Sequence, residues 1–579
     1  MVVSMVESGM RIDFDVIIET DDGLGLSADV FRPDDDGRYP VILSYGPYAK
    51  GLLFQEGYPD QWNRMITAYP EVAEGTSNRF QSWEVVDPEK WVPHGYACVR
   101  VDSRGAGRSP GVIDPYSPRE TRDIYECIEW AAAQPWSTGK VGLNGISYYA
   151  INQWQVAALR PPHLAAICTW EGASDCYRDM TYHGGIRCTF FANWYDMQVK
   201  TVQHGLGDKG PRNAISGLNV CGDVTLSPEE LAANRVDLGG AIASHPLADG
   251  FHADRSGRLE DIEVPLLSAA NWGGHGLHAR GNFEGFTRAS SADKWLEVHG
   301  EEHWTHFYTD YGRELQLRFF DHFLKDEDNG WRDRPRVSLW VRHPDRFEVR
   351  GEDDWPLMRT RWTTLHLQPD GSLSDSEPDT GSELSFEATG DGVVFTTPAM
   401  TEPLEVTGPS SLRLSISSST SDADIFVVLG VVDPDGEEVV FQGALDPHAP
   451  VAQGWLRASH RALDEERSLP WRPWHPHDRV EPLTPGEVYQ LDIEIWPTSI
   501  VIPPGHRLTL TVRGKDYEYR GTDTTGIDIS TFKNRFTGCG PFIHDDPTDR
   551  DPEVMGGVTT IHLGPGHPGA LLLPVIPPS

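Results

Sequence analysis

Over roughly its first 175 residues the chain alternates short apolar runs with helix-like stretches. A parallel sheet with helices on both faces is the architecture that satisfies this rhythm. Val41-Ile42-Leu43-Ser44-Tyr45 ends at Gly46-Pro47, and Tyr96-Ala97-Cys98-Val99-Arg100-Val101 ends in Asp102-Ser103-Arg104-Gly105-Ala106-Gly107. A helix is expected next, with Ile124, Cys127, Ile128 and Ala131 on one face, stopping near Gln134-Pro135 where proline disfavours continuation. Val141-Gly142-Leu143 and Leu164 to Thr169 supply further strands. From about 176 to 257 the rhythm breaks into long polar connections around a helix start at Ser227-Pro228-Glu229-Glu230-Leu231, which reads as an inserted helical cap. It returns with Val264 to Ala270, Trp295 to His299 and an amphipathic helix around Leu315 to Leu324. Beyond Asn329, Leu412, Leu414 and Ile416, and again Leu491, Ile493 and Ile495, alternate with polar residues as half-buried antiparallel strands do. The expected organisation is an α/β domain in two parts, 1–175 and 258–330, a helical cap at 176–257, and a β-sandwich, a jelly roll, at 331–579.

The 579-residue length itself calls for two or three domains. A formal net charge of −38 would repel nucleic acid and anionic membranes rather than steer them in. No apolar run approaches the ~20 residues that span a bilayer, and Met1 to Asp15 lacks the basic and apolar regions of a secretory signal. The 7 cysteines are scattered and odd in number, which suits reduced thiols in a cytoplasm better than a disulfide frame. Homo-oligomerisation is compatible with all of this.

Within the alternating region, Gly142-Leu143-Asn144-Gly145-Ile146-Ser147-Tyr148-Tyr149-Ala150 places a serine between a strand and a helix. α/β-Hydrolases expose a nucleophilic oxygen on such a turn, and Gly145 lets the turn close. Ser147 is the candidate nucleophile. The chemistry then needs a base, a group orienting the base, and donors for the oxyanion. It needs no organic cofactor and no metal.

Asp102-Ser103-Arg104-Gly105-Ala106-Gly107-Arg108-Ser109, the stretch from Ile128-Glu129-Trp130 through Gln134-Pro135-Trp136, and Gly145-Ile146-Ser147-Tyr148 resemble the cocaine esterase and X-prolyl dipeptidyl aminopeptidase group of α/β-hydrolases. The likeness continues through Phe319-Phe320-Asp321-His322-Phe323-Leu324. It implies a serine hydrolase of esters, amides or short peptides, built as a hydrolase domain with an inserted helical cap and a C-terminal jelly roll. It also implies that the Tyr48 hydroxyl, in Gly46-Pro47-Tyr48, and the backbone N–H of Tyr148 bind the oxyanion. The family's acid lies in a Trp-x-Asp-like segment, whereas this chain reads Trp272-Gly273-Gly274-His275-Gly276. It also carries Ala150 where the family usually has glycine.

His303, shortly after the strand at 295–299, is the expected base, with His306 and His299 as competitors. Glu171, just after the strand at 164–169, is the expected acid, with Asp175 and Glu284 as alternatives. Glu171, Asp175 and Asp179 could instead hold a substrate amine. Two other readings compete. His299-Gly300-Glu301-Glu302-His303 fits the spacing of an inverted zinc-peptidase motif, with His275, His278 and His306 nearby, although that motif works on a helix. Trp455, Trp471 and Trp474 could stack on sugars in a non-enzymatic saccharide-binding protein, although tryptophans more often pack.

Overall fold

The computed structural model describes residues 3–521 and 537–578. Its first sheet has 11 strands. Val3–Glu7, Met10–Glu19 and Gly25–Pro33 form an antiparallel edge. Then come, in spatial order, Ala97–Asp102, Tyr39–Gly46, Ser137–Ile146, Leu164–Trp170, Leu266–Asn271, Lys294–His299 and Val337–Arg342, all mutually parallel. Ala97–Asp102, Tyr39–Gly46 and Leu266–Asn271 are buried along nearly their whole length, as central strands with both faces covered are. Helix Pro118–Ala132 begins where the Ser117 side chain accepts the Glu120 N–H, and it buries Ile124, Cys127, Ile128 and Ala131 as their spacing requires.

The first sheet does not stop at residue 330. Val337–Arg342 pairs in parallel with Lys294–His299, and Phe347–Glu352 closes the edge antiparallel to it. Val337, Leu339 and Val341 alternate like sandwich strands, yet their buried faces pack with Leu296 and Val298 in the α/β core. Period-two alternation is the same for an edge strand of either sheet, so sequence pattern could not assign these residues.

The segment between Trp170 and Leu266 is built from short turns of helix and one small hairpin. Among them are Phe190–Trp194, Pro228–Ala233 with a complete capping box at Ser227 and Glu230, and Leu238–Ser244. A second sheet of 12 strands follows. Leu404–Ser418 and Tyr489–Ile502 pair antiparallel with Leu412 opposite Ile493 and Leu414 opposite Leu491, and all four side chains are fully buried. No helix among the described residues is long and apolar enough to cross a membrane.

Candidate active site

Ser147 stands between strand Ser137–Ile146 and helix Tyr148–Ala157 with φ +55° and ψ −113°, a strained backbone that local packing must hold. The Ile146 and Ser147 amides donate to the carbonyls of Glu84 and Trp170. A Cβ on Gly145 would lie 2.4 Å from Tyr149 Cβ, so the turn demands glycine there. The Tyr148 ring stacks on Tyr116 and Trp194 while its hydroxyl donates to buried Glu120. Tyr148 is also the first residue of its helix, so its N–H has no intrahelical acceptor. The extra methyl of Ala150 is accommodated opposite Gly172, where a Cβ would come within 2.9 Å of it.

The Asp102 motif supports the neighbouring loop. The Asp102 carboxylate accepts the Lys50 and Arg108 amides at 2.6 and 2.8 Å, and Ser103 N donates to the Gly46 carbonyl. These bonds fix Gly46 to Lys50 and hence Tyr48. The Trp194 indole donates to the Tyr48 hydroxyl oxygen at 3.1 Å, which leaves the phenol's own proton to be given elsewhere. Burial pushes the Tyr48 pKa well above its usual 10, so it remains a donor. Tyr48 and Ser147 line one cavity with Trp83, Tyr116, Phe190, Phe191, Trp194 and Trp304.

The hydroxyl's hydrogen-bond partner is His278, at 3.1 Å from Nε2, and not His303, the histidine expected there. His303 is pinned instead between two carboxylates. Its Nδ1 donates to Glu171 Oε2 at 2.7 Å and its Nε2 to Glu84 Oε1 at 3.0 Å. The His303 ring stacks on that of His278, with centroids 4.8 Å apart and planes 7° from parallel. The structure thus joins the expected base to the expected acid and places a second histidine against the nucleophile. Glu171 has φ +50° at the end of strand Leu164–Trp170 and also accepts from His299 Nε2 and Asn271 Nδ2, both at 3.2 Å.

Electrostatics divides the two stacked rings. Burial and then the charge on His303 hold the His278 pKa well below 6.5, so His278 is neutral. Its Nδ1 is buried with no partner. An N–H stranded there would cost about 1–3 kcal/mol, so the proton sits on Nε2 and is donated to Ser147 Oγ. For His303 burial is also the largest influence and lowers the pKa, but the Glu171 charge and the bonds to Glu171 and Glu84 outweigh it and raise it to about 10. Burial lifts Glu84 to about 6. Glu171 is held well below the usual carboxylate range because His303 and His299 outweigh its burial.

Burial likewise lowers and Glu297 and Glu171 raise His299, with a net rise to about 9. Both of its nitrogens donate to carboxylates, the second to Glu297 at 2.8 Å. Histidines whose folded pKa exceeds the ordinary 6.5 stabilise the fold fully below 6.5, and lose that stabilisation as pH rises. Melting temperature should therefore fall as pH passes through about 9 and then about 10. A smaller alkaline fall in His303→Gln, followed by circular dichroism, checks the assignment; an unchanged fall refutes it.

The remaining candidates sit elsewhere. His306 packs on Trp340 and faces Glu301. Asp175 caps the Tyr177 and Arg178 amides and pairs with Arg178. Asp179 is bound to Arg280, and Glu284 to Arg472 and Arg288. The inverted zinc motif lies on a strand end and a turn with Glu301 at φ +70°, not on one helix face. Trp455 and Trp474 are buried and Trp471 stacks on Trp362, so the three form no open platform. Sequence reasoning weighed His278 only as a zinc ligand and missed Glu84. The signal for His278 was its place in the very loop where the family's carboxylate is absent.

Comparison with known proteins agrees with this architecture. Residues 22–308 match the family model of X-Pro dipeptidyl-peptidase (S15 family), and residues 329–572 that of the X-Pro dipeptidyl-peptidase C-terminal non-catalytic domain. A solved CocE/NonD family hydrolase from Staphylococcus aureus superposes with a TM-score of 0.83 at 32% identity, over 98% of this chain and 94% of that one. Cocaine esterase from Rhodococcus sp. (strain MB1 Bresler) is 25% identical over 99% of this chain and 100% of its own length. An aminopeptidase from a marine sediment Thaumarchaeota archaeon shares the fold, with a TM-score of 0.70 at 17% identity. With 32% identity to a CocE/NonD hydrolase over nearly the whole of both chains, and with both domains matched by family models, the chain belongs to the CocE/NonD hydrolase family and is a serine hydrolase of ester or amide bonds.

Proposed function

We propose that this hydrolase is an esterase for small substrates with an apolar or aromatic acyl group. The observation that carries this is the wall of the cavity at Ser147, which is aromatic and aliphatic apart from Gln61, Gln198, Glu84 and the histidines. Glu84 is the one carboxylate lining it among the described residues, and His303 occupies its Oε1. A dipeptidyl-peptidase must bind a substrate ammonium. Glu171, Asp175 and Asp179, the carboxylates considered for that task, are committed to His303, Arg178 and Arg280.

In this reading Ser147 attacks the acyl carbon and its proton passes to His303 Nε2 in the form of the enzyme whose His303 ring is neutral, a form that Glu84 disfavours by stabilising the protonated ring. Glu171 holds the ring and compensates the imidazolium. Tyr48 and the Tyr148 amide bind the oxyanion, and neutral His278 donates to Oγ. Protonated His303 then supplies the leaving alcohol, and water hydrolyses the acyl-enzyme. A panel of p-nitrophenyl esters and X-Pro anilides tests the substrate class. Turnover of short acyl and benzoyl esters with no anilide cleavage is expected, and efficient X-Pro anilide cleavage would overturn the esterase reading. On the best ester, Tyr48→Phe should lower kcat by about 10²- to 10³-fold with little change in KM, as loss of one oxyanion donor does.

A further inference from the structure

Away from the nucleophile, the cap and the C-terminal domain meet at a cluster that the hydrolytic reaction does not use. His183 lies on the small hairpin of Tyr182–His183 and Ile186–Arg187, and Cys188 follows it. His544 comes from the C-terminal domain. All three side chains are buried, at 1%, 4% and 0% exposure, and one donor atom from each lies within 4.8 Å of the others. Cys188 is a free thiol. Trp455, Trp496 and Phe426 pack around the two imidazoles.

The hydrogen-bond accounting is what makes the cluster informative. His183 Nε2 faces the Asp179 carbonyl at 3.1 Å, which can only accept, so this nitrogen carries the proton. His544 Nδ1 faces the Asp516 carboxylate at 2.8 Å, so it carries a proton too. The Asp516 carboxylate is fixed in turn by the His544 backbone N–H at 2.7 Å. The two remaining nitrogens, His183 Nδ1 and His544 Nε2, then face each other across 2.8 Å and must share an electron-pair acceptor, either a proton or a metal ion. Lone pairs repel unless an electron-pair acceptor lies between them. Metal-binding histidines show this same arrangement, with the far nitrogen donating to a carbonyl or carboxylate and the near one free to ligate. A shared proton would satisfy the two nitrogens; a metal ion would satisfy them and engage the Cys188 sulfur beside them as well.

We propose that His183 Nδ1, His544 Nε2 and Cys188 Sγ bind a transition-metal ion of the Zn2+ type, with water as fourth ligand, and that the ion fastens the cap to the C-terminal domain. Zinc takes nitrogen at about 2.0–2.1 Å and thiolate at about 2.3 Å, so the two nitrogens need only open to about 3.3 Å in tetrahedral geometry. The thiol proton leaves to solvent on binding. The site matters to the active centre through chain continuity. Thr189 donates from both N and Oγ1 to the Ile543 carbonyl, and Phe190 and Phe191 follow directly as walls of the Ser147 cavity.

The test loads the full chain with Zn2+, removes excess by gel filtration and measures metal by mass spectrometry. It is repeated with Co2+ to read thiolate-to-metal charge-transfer absorption. Wild type should retain about one ion per chain with that absorption, His544→Gln should bind at least about 100-fold more weakly, and Cys188→Ser should lose the band. His278→Gln should retain the ion, which separates this site from the Glu171, His278 and His303 group. Failure of wild type to retain zinc or cobalt overturns the proposal, as does equal retention by wild type and His544→Gln. Wild-type stoichiometry and the cobalt spectrum decide the matter even where a variant does not fold.

Discussion

Ser147→Ala should lower ester turnover by at least about 10⁴-fold, and leave only the catalysis that oxyanion binding supplies without a nucleophile. The change removes one oxygen and keeps the Cβ, so the backbone at φ +55° is no more strained by alanine than by serine. The local cost is the lost acceptor for the His278 N–H, about 1–3 kcal/mol. For a chain of this size a loss near the lower end shifts the melting temperature by only about 1 °C. A serine-reactive phosphonate should label wild type at Ser147 and leave the variant unlabelled. Retention of a tenth or more of wild-type turnover by a folded variant would remove Ser147 from the reaction.

The turn that carries Ser147 was legible because it is local: glycine, the end of the strand and the start of the helix are adjacent, and each has a sequence signal. The parallel order of the sheet was legible for the same reason, through apolar runs separated by helices. Glu171 could be nominated because strand Leu164–Trp170 neighbours Leu266–Asn271 in the sheet, so a carboxylate at its end can replace the one missing after Trp272. The Glu84 contact was not legible. Glu84 comes from an irregular loop with φ +61° and reaches His303 across 219 residues, and no periodicity encodes such a meeting. The edge hairpin at 337–352 was hidden for a different reason, since alternation says which face is buried but not which sheet buries it. His278 illustrates a third limit. Its residue type was noticed, but its task depends on an orphaned Nδ1 and on the charge of the ring stacked against it, which only packing creates.

The two stacked histidines make competing demands that substitution should separate. Proximity favours His278, 3.1 Å from the hydroxyl. The ability to hold a proton favours His303, because Glu171 lies 2.7 Å from its Nδ1 whereas His278 Nδ1 has no acceptor. A base that becomes a buried cation without compensation pays the full desolvation cost; Glu171 removes that cost for His303 alone. His303→Ala should therefore lower kcat by about 10⁴-fold or more, Glu171→Gln by a comparable factor, and His278→Ala by only about 10- to 10²-fold through loss of one hydrogen bond to Oγ. Glu84→Gln supplies a readout that a purely structural role would leave still. Removing the carboxylate 3.0 Å from Nε2 takes away an interaction that favours the protonated ring, so the His303 pKa drops and the acidic limb of kcat/KM moves to lower pH, by about 1–2 units. If His278→Ala instead proves the more damaging change, and Glu84→Gln leaves the limb in place, the base is His278 and the pair of His303 and Glu171 only steadies the ring beneath it.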